Sequence, residues 1–220
     1  MLFRSITHYF GDETARQRFV ADYAARKGHT TTPWPLPTEM YWDTLIGRLA
    51  REDLAQQAQA APGQPWFMQV NFQAPHMPWD APREYLDRYT GVRFPDSVQG
   101  DLEHKSPVLA RLAYQWSIFE KQEHLQEVKQ SFAAMMSVVD DEIGKLLDLL
   151  EETGQRDNTV IIFTSDHGEM LGDFGFISKE KMYEGALRVP LLVSGAGVTA
   201  RGINHALVEL VDLQIGRAHV

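Results

Sequence analysis

Residues 131–168, SFAAMMSVVDDEIGKLLDLLEETGQRDNTVIIFTSDHG, decide how the rest of the chain is read. Phe132, Met135, Met136, Val139, Ile143, Leu146, Leu147 and Leu150 recur at three-and-four spacing, the stripe of an amphipathic helix, and Gly154 stops it. Asp157-Asn158 makes a turn, and Thr159 to Thr164 follows without polar alternation, as expected of a strand buried on both faces. An acid and an imidazole, Asp166 and His167, come directly after that strand. Successive strand residues point to opposite faces, so the two side chains converge only if the chain turns, which Gly168 permits. The competing reading has Asp166 capping a following helix while His167 packs locally.

Upstream, Phe10 to His29 reads as a helix ending at Gly28, and TTTPWPLPTEMYWDT, with prolines at alternate positions, as an extended surface segment. Tyr41 to Ala60 is helical in pattern, closed by Ala61-Pro62-Gly63. The aromatic-rich run from Pro65 predicts a buried strand through Phe72, ending at Ala74-Pro75-His76-Met77-Pro78. Residues before proline are pushed to extended conformations, so His76 is held on a stiff loop. The stretch 83–130 is polar and irregular, with a helix expected from about Val108 to Gln130 and no chemistry assigned to it. Two strands joined by a long helical crossover are expected to be parallel, which puts His76 and Asp166-His167 on one sheet edge, where ligands bind in open α/β sheets. Another strand is expected from Val189 to Ser194, with Pro190 at its beginning or on a sheet edge. The fold class is therefore α/β, a mostly parallel sheet flanked by helices.

Bulk composition narrows the function. A chain of 220 residues that is 44% hydrophobic can build one large domain with a core. A net charge of -9 argues against a nucleic-acid partner, which needs clustered Lys and Arg. No apolar run is long enough for a membrane span. The absence of cysteine excludes, within these residues, a disulfide framework, a thiolate zinc site and a cysteine nucleophile.

Asp166 and His167 are candidate metal ligands, and a hard divalent ion needs about six donors, so others must join them. Asp140 and Asp141 lie mid-helix and read as a solvated face or a buried anchor. Lys179, in a Gly-rich loop, is either simply solvated or a point charge for an anionic substrate oxygen. His76 is a candidate acid or base on its stiff loop. Glu184 and Arg188, four apart, read as an ion pair supporting the turn into the last strand.

Three stretches carry a family resemblance: SVVDDEIGKLLDLLEETGQRDNTVIIFTSDHGEMLGDFG, FMQVNFQAPHMPWDAPREYLDRY and KEKMYEGALRVPLLV. Together they resemble the sulfatase family of the alkaline-phosphatase-like superfamily, from about Trp42 to Leu213. The resemblance implies an incomplete sulfatase-type catalytic domain in which Asp166 and His167 bind metal while Lys179 and His76 contact the sulfate and the leaving-group oxygen. It further implies a divalent ion, usually Ca2+ with Mg2+, Mn2+ or Zn2+ as alternatives, and a formylglycine nucleophile made from Cys or Ser. The substrate so implied is a small-molecule or carbohydrate sulfate ester. Phosphonate monoester or phosphodiester hydrolysis on the same scaffold, or a non-catalytic relative, are the other readings, the former because His167 stands where many sulfatases have asparagine.

The sequence departs from that pattern in three places. The nucleophile motif, Cys or Ser followed by x-Pro-x-Arg, and an early aspartate pair have no counterpart here. They are expected upstream, with Met1 internal to a longer protein, residues 1–213 the C-terminal portion of the catalytic domain, and the 220 residues alone inactive. Phe174 stands where many relatives have histidine. Residues 214–220, QIGRAHV, lack turn logic and periodicity and are expected to be a non-native tail.

Overall fold

The computed structural model describes residues 14, 17, 18, 21, 31–60, 63–100, 106–109, 122–199 and 201–217. The expected helix from Phe10 to His29 thus lies largely outside the described residues, as do residues 110–121 of the helix expected from about Val108. Thr14, Gln17, Arg18 and Ala21 are helical.

Two long helices form the frame. Helix α1, Trp42–Ala60, starts where the proline-rich segment ends, after a single 3-10 turn at Thr38–Met40. It packs on a helix of 31 residues that begins at Gln122 and ends at Glu152. The expected helices on either side of residue 130 are therefore one continuous element, because nothing at the junction breaks helical geometry. Leu45 and Leu54 of α1 are buried, as are Val128, Met135, Val138 and Leu150 of the long helix. Burying a side chain of this size contributes about 2 kcal/mol. Glu142 is also buried between the two helices, where it binds Arg51 and, at 2.6 Å, Lys145. Gly47 makes room for it, since a Cβ there would collide with the Glu142 side chain.

Between these helices in sequence lies α2, Arg83–Asp87, which makes the long helix α3 in chain order. Tyr85 donates its hydroxyl to Asp141 at 2.8 Å and Arg88 adds an ion pair at 3.2 Å, so Asp141 anchors α2 while Asp140 faces solvent. The irregular residues 92–98 form a strap held by side chains. Gln126 of α3 donates to the Phe94 carbonyl and accepts its amide, Gln130 donates to Val92 and Lys129 to Pro95. These bonds replace the ladder that the segment's backbone lacks.

Among the described residues the sheet is smaller than expected, and the parallel pairing expected between 67–72 and 159–164 is not seen in it. Strand β1, Val160–Thr164, pairs with β2, Leu191–Gly195, and the pairing is antiparallel, with Val160 opposite Gly195 and Thr164 opposite Leu191. Residues 165–190 loop back without a long helix crossing the sheet, so nothing imposes parallel pairing. The expected strand at 67–72 alternates exposed and half-buried residues, as an extended segment does, yet no strand pairs with it among the described residues. Nor is either expected strand buried on both faces: in β1 Val160 and Ile162 are about half exposed, and in the 67–72 segment Phe67 is 89% exposed. Pro190 sits just before β2, its carbonyl accepting from the Thr164 hydroxyl at 2.9 Å. A 3-10 helix, Leu210–Arg217, ends the described chain.

The main core lies under α2 and α3. Trp79 and Val128 are wholly buried there, and Trp34 meets Tyr41 edge to face at 5.3 Å. A smaller cluster of Met170, Phe176 and Ala186 sits beneath the loops that follow β1. Among the described residues no helix is long and apolar enough to cross a membrane.

Candidate functional site

The loop after Gln73 is oriented by the core below it. Ala74 and Met77 pack against that core, which leaves His76 exposed. The His76 amide donates to the Gln73 carbonyl at 3.0 Å, closing a turn, and its Nδ1 donates to the Met77 carbonyl at 2.7 Å. With the proton committed to Nδ1, Nε2 is the acceptor in the neutral ring.

Anchoring of this loop comes from a residue that sequence reading missed. Asp43, in the first turn of α1, is 1% exposed, and its Oδ1 accepts the amides of Gln73 at 2.7 Å and Ala74 at 3.1 Å. Burial pushes its pKa up to about 6, although the two amides pull the other way. An acid in a first helical turn ordinarily reads as a partner for the helix dipole, so its position in the chain carries no sign of this role.

Across from His76 lies His167. The two rings are 6.5 Å apart between centroids, inclined at 70°. The chain turns at Asp166 as the two-ligand reading requires, and no helix follows directly, so the capping alternative falls. Asp166 instead accepts the His167 amide at 3.0 Å and points its other oxygen to within 3.6 Å of His167 Nε2. His167 Nδ1 donates to the Gly168 carbonyl at 2.8 Å, so this ring too presents Nε2 as its acceptor.

Gly168 fixes that turn against α4, Glu184–Leu187. Its amide donates to the Ala186 carbonyl at 2.8 Å, and a Cβ would collide with the Gly185 carbonyl oxygen. Glu184 and Arg188 are joined by the main chain, Arg188 N–H to Glu184 C=O at 2.8 Å; the expected ion pair between them is not formed, and the Arg188 side chain is exposed.

Lys179 is half-buried between Ser178 and Glu180, both in left-handed conformations with φ of 69° and 68°. Glu169 and Lys181 hold the ends of this loop, and neither stood out in the sequence. Glu169 accepts the Ser178 and Leu171 amides, and Lys181, almost wholly buried, donates to the Ile177 carbonyl at 2.8 Å. Burial raises the Glu169 pKa and lowers that of Lys181, each opposed by the other's charge. Met170 N–H donates to the Ser178 carbonyl at 3.2 Å, tying the Lys179 loop to the strip that follows His167. No hydrogen bond joins Lys179 to either histidine among the described residues.

Phe174 also adopts a left-handed conformation, φ 55°, and stacks on Tyr183 at 4.9 Å. The strap meets it: the Phe174 amide donates to the Val98 carbonyl at 2.7 Å and Asp173 accepts the Val98 amide at 2.7 Å.

A carboxylate oxygen and an imidazole acceptor are suitable donors for a divalent ion. The described residues contain no group of three such ligands, so Asp166 and His167 supply at most part of a coordination shell from this set.

The Sulfatase family model matches residues 6–214. The chain belongs to the sulfatase family. This sulfatase-family chain is 31% identical to the choline-sulfatase of Rhizobium meliloti over 171 residues, covering 74% of this chain and 33% of the relative. To the arylsulfatase of Clostridium perfringens it is 33% identical over 184 residues, covering 80% and 36%. The phosphonate monoester hydrolase SpPMH of Silicibacter pomeroyi superposes with a TM-score of 0.66 at 27% identity, covering 76% of this chain and 35% of that one. The chain thus spans about a third of the length of these relatives, and its superfamily is that of the alkaline-phosphatase-like hydrolases.

Proposed function

We propose that the whole protein hydrolyses a small-molecule or carbohydrate sulfate ester, and that Asp166, His167, His76 and Lys179 serve that reaction. The observation that carries this reading is the approach of His76 to His167, from loops far apart in sequence, beside the Asp166 carboxylate. Two imidazoles with Nδ1 committed to carbonyls and Nε2 available, next to an acid, suit binding and proton transfer at an anionic substrate.

In this reading Asp166 and His167 help to hold a divalent ion, calcium foremost, which when bound neutralises charge on the sulfate oxygens. The Lys179 ammonium donates to a sulfate oxygen from the rigid loop that Glu169 and Lys181 brace. His76 Nε2, carrying a proton in its charged form, delivers it to the leaving-group oxygen as the ester bond to sulfur breaks. The nucleophile proposed is a formylglycine, for which this chain holds no Cys/Ser-x-Pro-x-Arg motif.

The likeness to SpPMH favours a second reading, hydrolysis of phosphonate monoesters on the same scaffold. Paired aryl sulfate and aryl phosphonate substrates separate the two. The proposal expects the higher kcat/KM on the sulfate, and a higher value on the phosphonate would replace the first reading by the second.

A further inference from the structure

We propose that Asp43 is a positioning residue for this site: its buried carboxylate grips the main chain at Gln73 and Ala74 and so keeps His76 beside His167. The inference rests on the reading of His76 as a working member of the site. Gln73 and Ala74 belong to a segment that no strand pairs with among the described residues, and within that set their amides are held by Asp43. One oxygen of Asp43 takes both amides, at 2.7 and 3.1 Å, and the Gln73 carbonyl in turn accepts the His76 amide at 3.0 Å. Three hydrogen bonds therefore connect a helix of the frame to the backbone of His76.

A buried carboxylate is an unfavourable choice for stability alone, since its charge loses hydration that two amides only partly restore. Among the described residues no cation pairs with Asp43. The charged neighbour that acts on it is Glu142, which opposes its ionisation and is itself paired with Arg51 and Lys145. What the carboxylate does is accept two consecutive amides at once, in charge-assisted bonds that fix direction as well as distance. A displacement of about 1 Å at a reacting group can lower a rate about 100-fold, so such a hold on His76 has functional weight.

The test compares Asp43→Asn, which keeps Oδ1, with Asp43→Ala and with Asp43→Leu, which fills similar volume without an acceptor and is read instead if the alanine variant does not fold. In the whole protein acting on an aryl sulfate, loss of the acceptor is expected to lower kcat about 10-fold or more with KM little changed, while Asp43→Asn stays within about 3-fold. In a His76→Ala background the same loss is expected to add little, because Asp43 acts through His76. An equal loss with and without His76 would mark a general structural role and overturn the proposal. Amide hydrogen exchange and the His76 NMR resonance give a readout independent of turnover. Faster exchange at Gln73 and Ala74 together with a shifted His76 signal supports the proposal even if neither ester is hydrolysed, which would refute only the functional reading. Unchanged exchange at both amides overturns it.

Discussion

At the scale of single residues, buried charges rather than exposed ones organise the site. Lys179 and Lys181 are two positions apart and differ completely in environment. Replacing Lys181 by alanine removes a buried donor from the Ile177 carbonyl and is expected to lower stability by about 1–3 kcal/mol. Lys179→Ala is expected to leave the unfolding midpoint almost unchanged while reducing turnover; denaturant melts beside kinetics of both variants check this. Asp43 makes a pH prediction. Its folded pKa, about 6, lies above the ordinary value of 3.8, so the native state holds the proton more tightly than the unfolded chain. Its favourable contribution is complete below the unfolded value and is lost as pH rises through the folded one. Asp43→Asn escapes that loss, and its stability relative to the parent protein is expected to improve by about 2 kcal/mol between pH 4 and pH 7. Urea melts across that range giving a constant difference would contradict the assignment.

At the scale of elements, the frame was legible in the sequence and the pairing was not. Helical periodicity is local, so the stripe from Phe132 to Leu150 located its helix from residue identities alone. Strand pairing depends on partners elsewhere in the chain, and β-branched runs do not encode direction; β1 and β2 were found by pattern, but their antiparallel ladder was not. His76 and His167 were placed together on the expectation of parallel strands. They do meet, through the Asp43 clamp and the packing of Ala74 and Met77 rather than through a ladder. Asp43, Glu169 and Lys181 escaped notice because burial of a charged residue leaves no periodic trace. The turn at Gly168 is the element-scale weak point. Gly168→Ala must push β1's exit away from α4 to relieve the clash with the Gly185 carbonyl. It is expected to destabilise by about 1–3 kcal/mol and to lower turnover more than Lys181→Ala does, measured by melting and steady-state kinetics on one preparation.

At the scale of the whole molecule, a two-helix frame with its core under α2 and α3 carries one loop of the site, and a smaller cluster carries the loops after β1. The chain belongs to the sulfatase family and superposes on SpPMH, in each case over about a third of the relatives' length. The central claim is that Asp166, His167 and His76 belong to the reacting centre of such a hydrolase. Its most direct test is kcat/KM on an aryl sulfate for the whole protein and its His167→Ala variant, with both shown to be folded. The variant's kcat/KM is expected to fall about 100-fold or more, within the range one acid–base or charge-stabilising group contributes; a value within about 3-fold of the parent would place His167 outside the reacting centre.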